Sequence, residues 1–447
     1  MRNMSGFAKK LFPFIVHRSL FTVYSLLLLL PLSLFAAGTT VTLDDLVATA
    51  LKKSPDLQSA RLDVEAAKMR LKSAKAGYLP RLDLTANTGG STARFKGDIS
   101  QDAALLAGRL SVSQLLWDFG KTGGTVEAAE ALQKASGAAL YQRVSDKILE
   151  VKEAYYAVLK AKSLVRVRQK GVELRQQQLY RAQKYLKAGI RTIIDVSDAK
   201  VELARARRDL QNVRFDVQRL RAALERAVGG AIAEGAYRLA MPDLVWERLA
   251  ERLPPVPSNL QALTGFAWRH RFAIESLKHR ARSEAARIRA VEGEYLPTIG
   301  LEADAGAQYV DDDLAMSLPE NDARGVVALR WNLFEGFRSD ARLEEAKALH
   351  LKAVSEVQRL KLTVQEEVTE AWLALKRSEE NVRLDSVIAH TAREKLHQAS
   401  KRYENGLADF LELKSAQQDY IAALAALVNS YFDTYIALAR LDHAVGR

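Results

Sequence analysis

The chain contains no cysteine, which excludes disulfides, thiolate metal sites, cysteine nucleophiles and a cysteine-linked lipid anchor. Proline and glycine are scarce, 10 and 24 residues in 447. Long uninterrupted elements are therefore expected instead of the several compact domains this length would suggest. Acid is missing from the first 18 residues, which carry Arg2, Lys9, Lys10 and Arg18. A long apolar run occurs once, over residues 20–35, and ends in Ala36, Ala37 and Gly38. Basic start, apolar middle and small-residue end form the pattern of a secretory leader, and the run falls short of the ~20 residues of a spanning helix. Residues 1–37 are therefore expected to be a signal peptide. Losing its four cations takes the net charge from +12 to +8. An exported chain is not expected to bind nucleic acid, and with no second long apolar run no transmembrane helix is expected.

Chemical motifs are missing as well. There is no nucleophile–base arrangement, phosphate loop or metal motif, so neither catalysis nor a cofactor is expected. His390 and His397 lie seven apart without companion ligands and suit a solvated helix face. The arginines between 205 and 226 interleave with a heptad stripe and suit coiled-coil outer positions.

What the chain does have is a duplication at an offset of 217 residues. Tyr78-Leu79-Pro80 falls on Tyr295-Leu296-Pro297, and Glu150, Val151, Glu153 and Ala154 fall on Glu367, Val368, Glu370 and Ala371. Ala182, Lys184, Gly189 and Ala199 fall on Ala399, Lys401, Gly406 and Ala416. The register holds without gaps from about 43 to 227. The expected division is a first repeat over 38–229, a linker over 230–258 with Pro254, Pro255 and Pro257, and a second repeat over 259–447.

Each repeat opens with a helical stretch of about 35 residues, 42–77 and 259–294, that stops at its Tyr-Leu-Pro. Pro80 and Pro297 mark the helix-to-strand junctions. The period then switches to two. Leu82, Leu84 and Ala86 alternate with Asp83, Thr85 and Asn87, and Leu301, Ala303 and Ala305 with Glu302, Asp304 and Gly306. Polar tips over 90–103 and 310–324 lead to return strands ending in aromatics, Trp117 and Phe119, then Trp331, Phe334 and Phe337. Strands of about ten residues are expected, two per repeat. The remainder of each repeat is helical with apolar residues every seven, such as Val144, Val151, Val158, Val165 and Val172. Gly189 and Gly406 interrupt the two stripes. The segment 125–187 as one helix would be roughly 95 Å long at ~1.5 Å per residue.

Alternating ten-residue strands match the length that crosses a bilayer as tilted β-strands. Four strands cannot close a barrel, and an open edge in lipid is prohibited, so several copies must share one barrel if the strands lie in a membrane. The helices, charged on their outer faces, must then extend into water as a coiled-coil tube.

The layout resembles the TolC-like outer membrane efflux family across nearly the whole mature chain. The resemblance rests on the duplication, the two Tyr-Leu-Pro entries, and the return-strand runs Gln114-Leu115-Leu116-Trp117-Asp118-Phe119-Gly120-Lys121 and Trp331-Asn332-Leu333-Phe334-Glu335-Gly336-Phe337-Arg338. It rests most on the turn Gly189-Ile190-Arg191-Thr192-Ile193-Ile194-Asp195-Val196-Ser197-Asp198, matched by Gly406-Leu407-Ala408-Asp409-Phe410-Leu411-Glu412. The resemblance implies a mixed α/β membrane protein: a homotrimer with a twelve-stranded outer membrane β-barrel, embedded in outer membrane lipid and continued by a periplasmic α-barrel. It implies a passive exit duct docked to a periplasmic adaptor protein and an inner-membrane transporter, in a tripartite efflux or type I secretion system.

Carried over by motif, Asp195 and Asp198 match the acids that ring the periplasmic aperture, and Arg191 matches the basic residue constraining them. Tyr403, Asp409 and Glu412 stand at the corresponding turn of the second repeat. Gly189 and Gly406 match the turns that adaptors grip. Asp195 and Asp409 also suit helix N-terminal acids beside the dipole, with no role in a pore. The aromatics suit either an interfacial girdle or plain packing at the barrel end. The alternative reading of the whole chain is a periplasmic coiled-coil adaptor or scaffold. That reading requires one helical hairpin between compact β domains and leaves the two strand pairs unexplained.

Overall fold

The computed structural model describes residues 40–95, 99–190, 192–232, 237–241, 245–312 and 320–447. The expected leader over 1–37 lies outside the described residues. The first half runs β1 (Thr40–Val41), α1 (Leu43–Lys53), α2 (Pro55–Lys75), β2 (Arg81–Phe95), β3 (Ile99–Trp117), α3 (Lys121–Lys187) and α4 (Ile193–Val228). The short β4 (Arg238–Leu239) follows in the connector. The second half runs α5 (Leu260–His270), α6 (Phe272–Glu292), β5 (Thr298–Asp312), β6 (Glu320–Arg330), α7 (Arg338–Glu404) and α8 (Phe410–Val445). The four helices of each half have matching lengths of 11, 21, 67 and 36 residues.

The opening helix of about 35 residues is two helices in each half, a correction to the reading from periodicity. In the first half Pro55 forces Ser54 into extended backbone (φ −61°, ψ 122°). In the second no proline is present, yet Arg271 takes nearly the same conformation (φ −71°, ψ 115°). The shared cause is tertiary. A glycine after the last helix of each half, Gly229 and Gly446, adopts positive φ (94° and 87°) and presses its backbone on the break. A Cβ on Gly229 would lie 3.0 Å from Ser54 Cα, and one on Gly446 3.3 Å from Arg271 Cα. Arg271 adds a side-chain anchor, donating to the His443 carbonyl and, at 3.0 Å, to Glu367.

α3 and α7 each extend about 100 Å at ~1.5 Å per residue. Near its start α3 packs against α6 through small residues. Ser276 and Ser283 donate to the carbonyls of Ala135 and Ala128 at 2.9 and 3.0 Å. A Cβ on Gly124 would fall 2.6 Å from the Ala290 nitrogen. Toward its end α3 packs against α4 and α8, with Gly171 facing Ile421. Val151 and Val158 of the heptad stripe are fully buried in the main core, with Leu224, Val382, Leu427 and Phe432. The connector closes over this core. β4 pairs in parallel with β1, Tyr155 Oη donates to the Ala240 carbonyl at 2.7 Å, and a 3₁₀ turn spans Trp246–Arg252. One helix, α8, is long and apolar enough to cross a membrane, against the expectation that none is available. More than half of its apolar window is buried inside the chain, where it forms the core side of the second hairpin.

The four long strands form one antiparallel sheet in the order β2-β3-β5-β6, with β2 and β6 at open edges. β2 and β5 have 15 residues, β3 19 and β6 11, so the strands outrun the expected ten and take over much of the expected polar tips. Backbone pairing offsets the exposed position of these residues, and the ladder continues past the alternating run. Directly paired residues share a face. One face carries Leu82, Leu84, Leu110, Leu301, Val327 and Leu329, nearly all exposed. The opposite face carries Asp83, Arg109, Glu302, Asp304 and Asp322. There Arg109 Nη1 bridges Asp304 at 2.5 Å and Asp322 at 3.1 Å. The bridge crosses β5 at Gly306, where a Cβ would lie 2.8 Å from Asp322 Oδ1. A bulge between Leu115 and Trp117 shifts the β3 register and brings Trp117 opposite Ile299, on the apolar face that Trp331 reaches without one.

Two glycines of α3 test the packing. Gly124→Ala is expected to destabilise the protein by about 2 kcal/mol, because backbone of α6 must move. Gly137→Ala, with open space around its Cβ position, is expected to stabilise it by roughly 0.5 kcal/mol. Thermal unfolding followed by circular dichroism at 222 nm checks both signs.

Candidate functional site

The candidate residues gather at the far ends of the two helical hairpins. α3 ends at Lys187, and Gly189 takes a left-handed conformation (φ 72°) that lets its N–H reach Leu186 O (3.0 Å) and the Ile190 N–H reach Tyr185 O (2.9 Å). Gly406 repeats this at φ 73°, with the Leu407 N–H on Arg402 O at 2.8 Å. Glycine is needed because a Cβ disfavours this conformation, and the paired bonds satisfy carbonyls the helix end would orphan.

The next helix starts with a side-chain cap in each hairpin. Thr192 and Asp195 form a capping box: Asp195 Oδ2 accepts from the Thr192 N–H at 3.1 Å and its hydroxyl at 3.2 Å. In the second hairpin Asp409 is itself the cap and accepts from the Glu412 N–H at 2.8 Å. Asp195 and Asp409 therefore hold helix starts, the alternative role their sequence positions allowed. Asp198, one turn along α4 on the face of Asp195, is exposed and has no partner among the described residues. Glu412 accepts from Arg402 Nε at 3.1 Å.

Arg191 lies outside the described residues. Tyr403 is 1% exposed, its ring among Ala399, Leu413 and Ala416 and 6.0 Å from that of Tyr185. Pro80 and Pro297 sit at the opposite end of α3 and α7, immediately ahead of β2 and β5, and take no part in this cluster.

Several residues at this end escaped the reading of the sequence. Phe410 packs on the cores of both hairpin ends and ties the two turns together. Arg181 bridges the hairpins, reaching Glu404 at 2.8 Å and Ser400 at 3.2 Å. Farther in lies a buried polar layer between α3, α4 and α8. Arg175 donates to Gln417 at 2.6 Å and Gln178 at 3.2 Å, and Glu202 accepts from Lys414 at 3.0 Å and Arg205 at 3.1 Å. Burial lowers the Arg175 guanidinium from its ordinary value, and Glu202 opposes that shift. The partners of these residues come from the other repeat, so the single-helix period carries no trace of them.

The surface of the hairpin ends is mixed. Ile190, Ile193, Ile194, Leu407 and Leu411 are each more than 60% exposed beside Asp198 and Asp409. Apolar side chains this exposed at the tips of a rigid hairpin pair suit contact with another protein. Among the described residues no group of three or more His, Asp or Glu could hold a metal ion.

Comparison with known proteins fits this arrangement. The profile of the family described as outer membrane efflux protein matches residues 46–230 and 266–447. The chain is 25% identical over 413 residues to the outer membrane efflux protein BepC of Brucella suis, covering 92% of this chain and 86% of the relative. It is 26% identical over 410 residues to the outer membrane protein OprJ of Pseudomonas aeruginosa, covering 90% and 83%. In fold it is similar to the outer membrane protein VceC of Vibrio cholerae (TM-score 0.73, 21% identity, 90% of this chain and 96% of that one). It is likewise similar to CusC, whose structures describe folding and transmembrane channel formation (TM-score 0.78, 18% identity, 92% and 93%).

The caps are separable from any role in a pore. Asp409→Ala is expected to cost about 1 kcal/mol of local stability, and Asp409→Asn much less. Faster amide hydrogen exchange over the first turn of α8 in the alanine variant alone is the expected outcome.

Proposed function

The chain belongs to the outer membrane efflux protein family, and from that premise we propose that three copies build one continuous exit duct. As a member of that family it is an outer membrane efflux channel. The reading of a periplasmic adaptor or scaffold is set aside: two hairpins and an open four-stranded sheet match the channels in fold.

The observation that carries the trimer is the sheet. It has one apolar face, one charged face and two open edges. An open edge in lipid leaves backbone groups unpaired at several kcal/mol each. Edge β2 of one copy pairs with edge β6 of the next, and three copies give twelve strands around a lumen lined by Arg109, Asp304 and Asp322. The strands, at 15 residues and about 3.3 Å each, exceed a ~30 Å hydrocarbon core even when tilted. Their excess extends into water on one side. Trp117 and Trp331 anchor the apolar band at its helical border, and the hairpins continue the lumen through the periplasm.

The proposed division is a leader over 1–37, repeats over 38–229 and 259–447, and a connector over 230–258. The proposed aperture lies at the hairpin ends. Asp195 and Asp198, with Arg191 beside them, supply a carboxylate ring by threefold repetition, and Asp409 and Glu412 a second, with Tyr403 as its packed support. Rings of carboxylates favour cations. The exposed apolar tips around Gly189 and Gly406 receive a periplasmic adaptor, which links the duct to an inner-membrane transporter. The duct is passive and has no catalytic activity of its own; energy enters through that transporter.

Replacing Asp195 and Asp198 together with alanine is expected to reduce block of the single-channel current by trivalent cations at least tenfold. Unchanged block and unchanged conductance in planar bilayers would remove these residues from the aperture. Assembly is tested separately: chemical cross-linking in detergent is expected to stop at the trimer. A purely monomeric product would sink the shared barrel.

A further inference from the structure

A cavity of about 680 Å3 lies between α3, α7 and α8, roofed by Trp246 of the connector turn. A second cavity of about 290 Å3 adjoins it, sharing Trp246, Arg393, Tyr420 and Leu424. The combined space falls within the range of small-molecule sites, ~300–1,000 Å3. It stands apart from the hairpin tips and from the charged face of the sheet.

Its walls differ in chemistry. The annex is lined by Val387, Ala389 and Leu427 beneath the Trp246 indole. The main cavity carries four cations on its described walls, Arg166, Lys170, Arg181 and Arg393, against one carboxylate, Glu173. Glu173 is taken by Lys170 at 3.2 Å, and Arg181 is taken by Glu404. Arg166 has no hydrogen-bond or ion-pair partner among the described residues.

At the far end sits a second, independent sign. Gln178 is 2% exposed and lines the cavity. Its Oε1 accepts from Arg175, a pure donor, which fixes the orientation of the amide. Its Nε2 therefore faces the cavity as a donor, and it has no partner. A buried N–H left unpaired is costly, and an acceptor supplied from outside removes the cost. Arg166 and Gln178 are twelve residues apart on α3, roughly 18 Å at ~1.5 Å per residue. A single small ion cannot meet both. A group that reaches Gln178 must also be narrower than a helix, whose diameter is ~10 Å.

We propose that this space binds an elongated organic anion with a flat apolar end. The apolar end lies under Trp246 against Leu427 and Val387. The anionic group sits beside it, between Arg166, Lys170 and Arg393. A polar acceptor farther along the molecule takes the Gln178 N–H. The occupant bridges the connector and both hairpins, so it binds one arrangement of the hairpins in preference to any other.

Methyl orange, an elongated aromatic sulfonate, is a suitable probe. Equilibrium dialysis is run with the full assembled protein in detergent, against detergent alone. Binding of one dye per chain is expected. Arg166→Glu, an exposed change that leaves the core intact, is expected to weaken it about tenfold, as is Trp246→Ala. Size-exclusion profiles and single-channel conductance matching the parent show that the variants are assembled and that the duct itself is unaffected. Dye uptake no greater than in protein-free detergent, or uptake unchanged by Arg166→Glu, overturns the proposal. Either result leaves the reading of the chain as a channel untouched.

Discussion

The backbone edges of β2 and β6 constrain everything else. Each edge exposes a row of N–H and C=O groups, and the sheet between them is apolar on one face. In water such an edge invites aggregation; in hydrocarbon it is prohibited. Closure with other copies removes both problems, and closure then dictates the rest. The charged face must turn inward, the tryptophans must fall at one border, and the helices must leave from the same rim. The bulge at Leu115/Trp117 is a small instance of that control, since one inserted residue decides which medium an indole meets.

Below the sheet the helices face a different problem. Hairpins this long hold together through apolar stripes within each hairpin, but the seam between hairpins is polar. Arg175, Gln178, Glu202 and Gln417 are all less than a tenth exposed there. Breaking one partner of such a layer costs more than the layer contributes, about 3–5 kcal/mol for an uncompensated buried charge. The seam thus favours one alignment of α3 against α8 and penalises neighbouring registers. Nearer the tips the ties become weaker and more exposed: Arg181 to Glu404, Arg402 to Glu412, and the Phe410 ring across both turns. Resistance to separation falls toward the end where an aperture is proposed.

Much of this was legible in the residues. The offset of 217 and the change from period seven to period two located the four long strands and the long helices. The glycines at 189 and 406 marked the turns. The helix breaks at Ser54 and Arg271 were not legible, because one rests on a proline and the other on a glycine more than 170 residues away. Strand ends were misplaced because polar alternation fades before the hydrogen-bond ladder does. The capping roles of Asp195 and Asp409 could be read from Thr-x-x-Asp and Asp-x-x-Glu spacing, whereas Arg175, Arg181 and Phe410 depend on contacts between repeats. Periodicity reports which side of an element is buried, not what it is buried against.

The equal lengths of α3 and α7 have a mechanical meaning. Two struts of 67 residues rise from one rim and end in matching turns, so both stop at the same height. Around a threefold assembly that makes six tips in one plane, a level seat for whatever abuts it. A difference of one heptad between the struts would step that seat by about 10 Å at ~1.5 Å per residue, opening a leak at every second tip. Selection for a tight seal therefore acts on the two halves jointly. An insertion or deletion survives in α3 only when α7 changes with it, which explains how a duplicated gene can drift far in side chains while its two halves keep one common length.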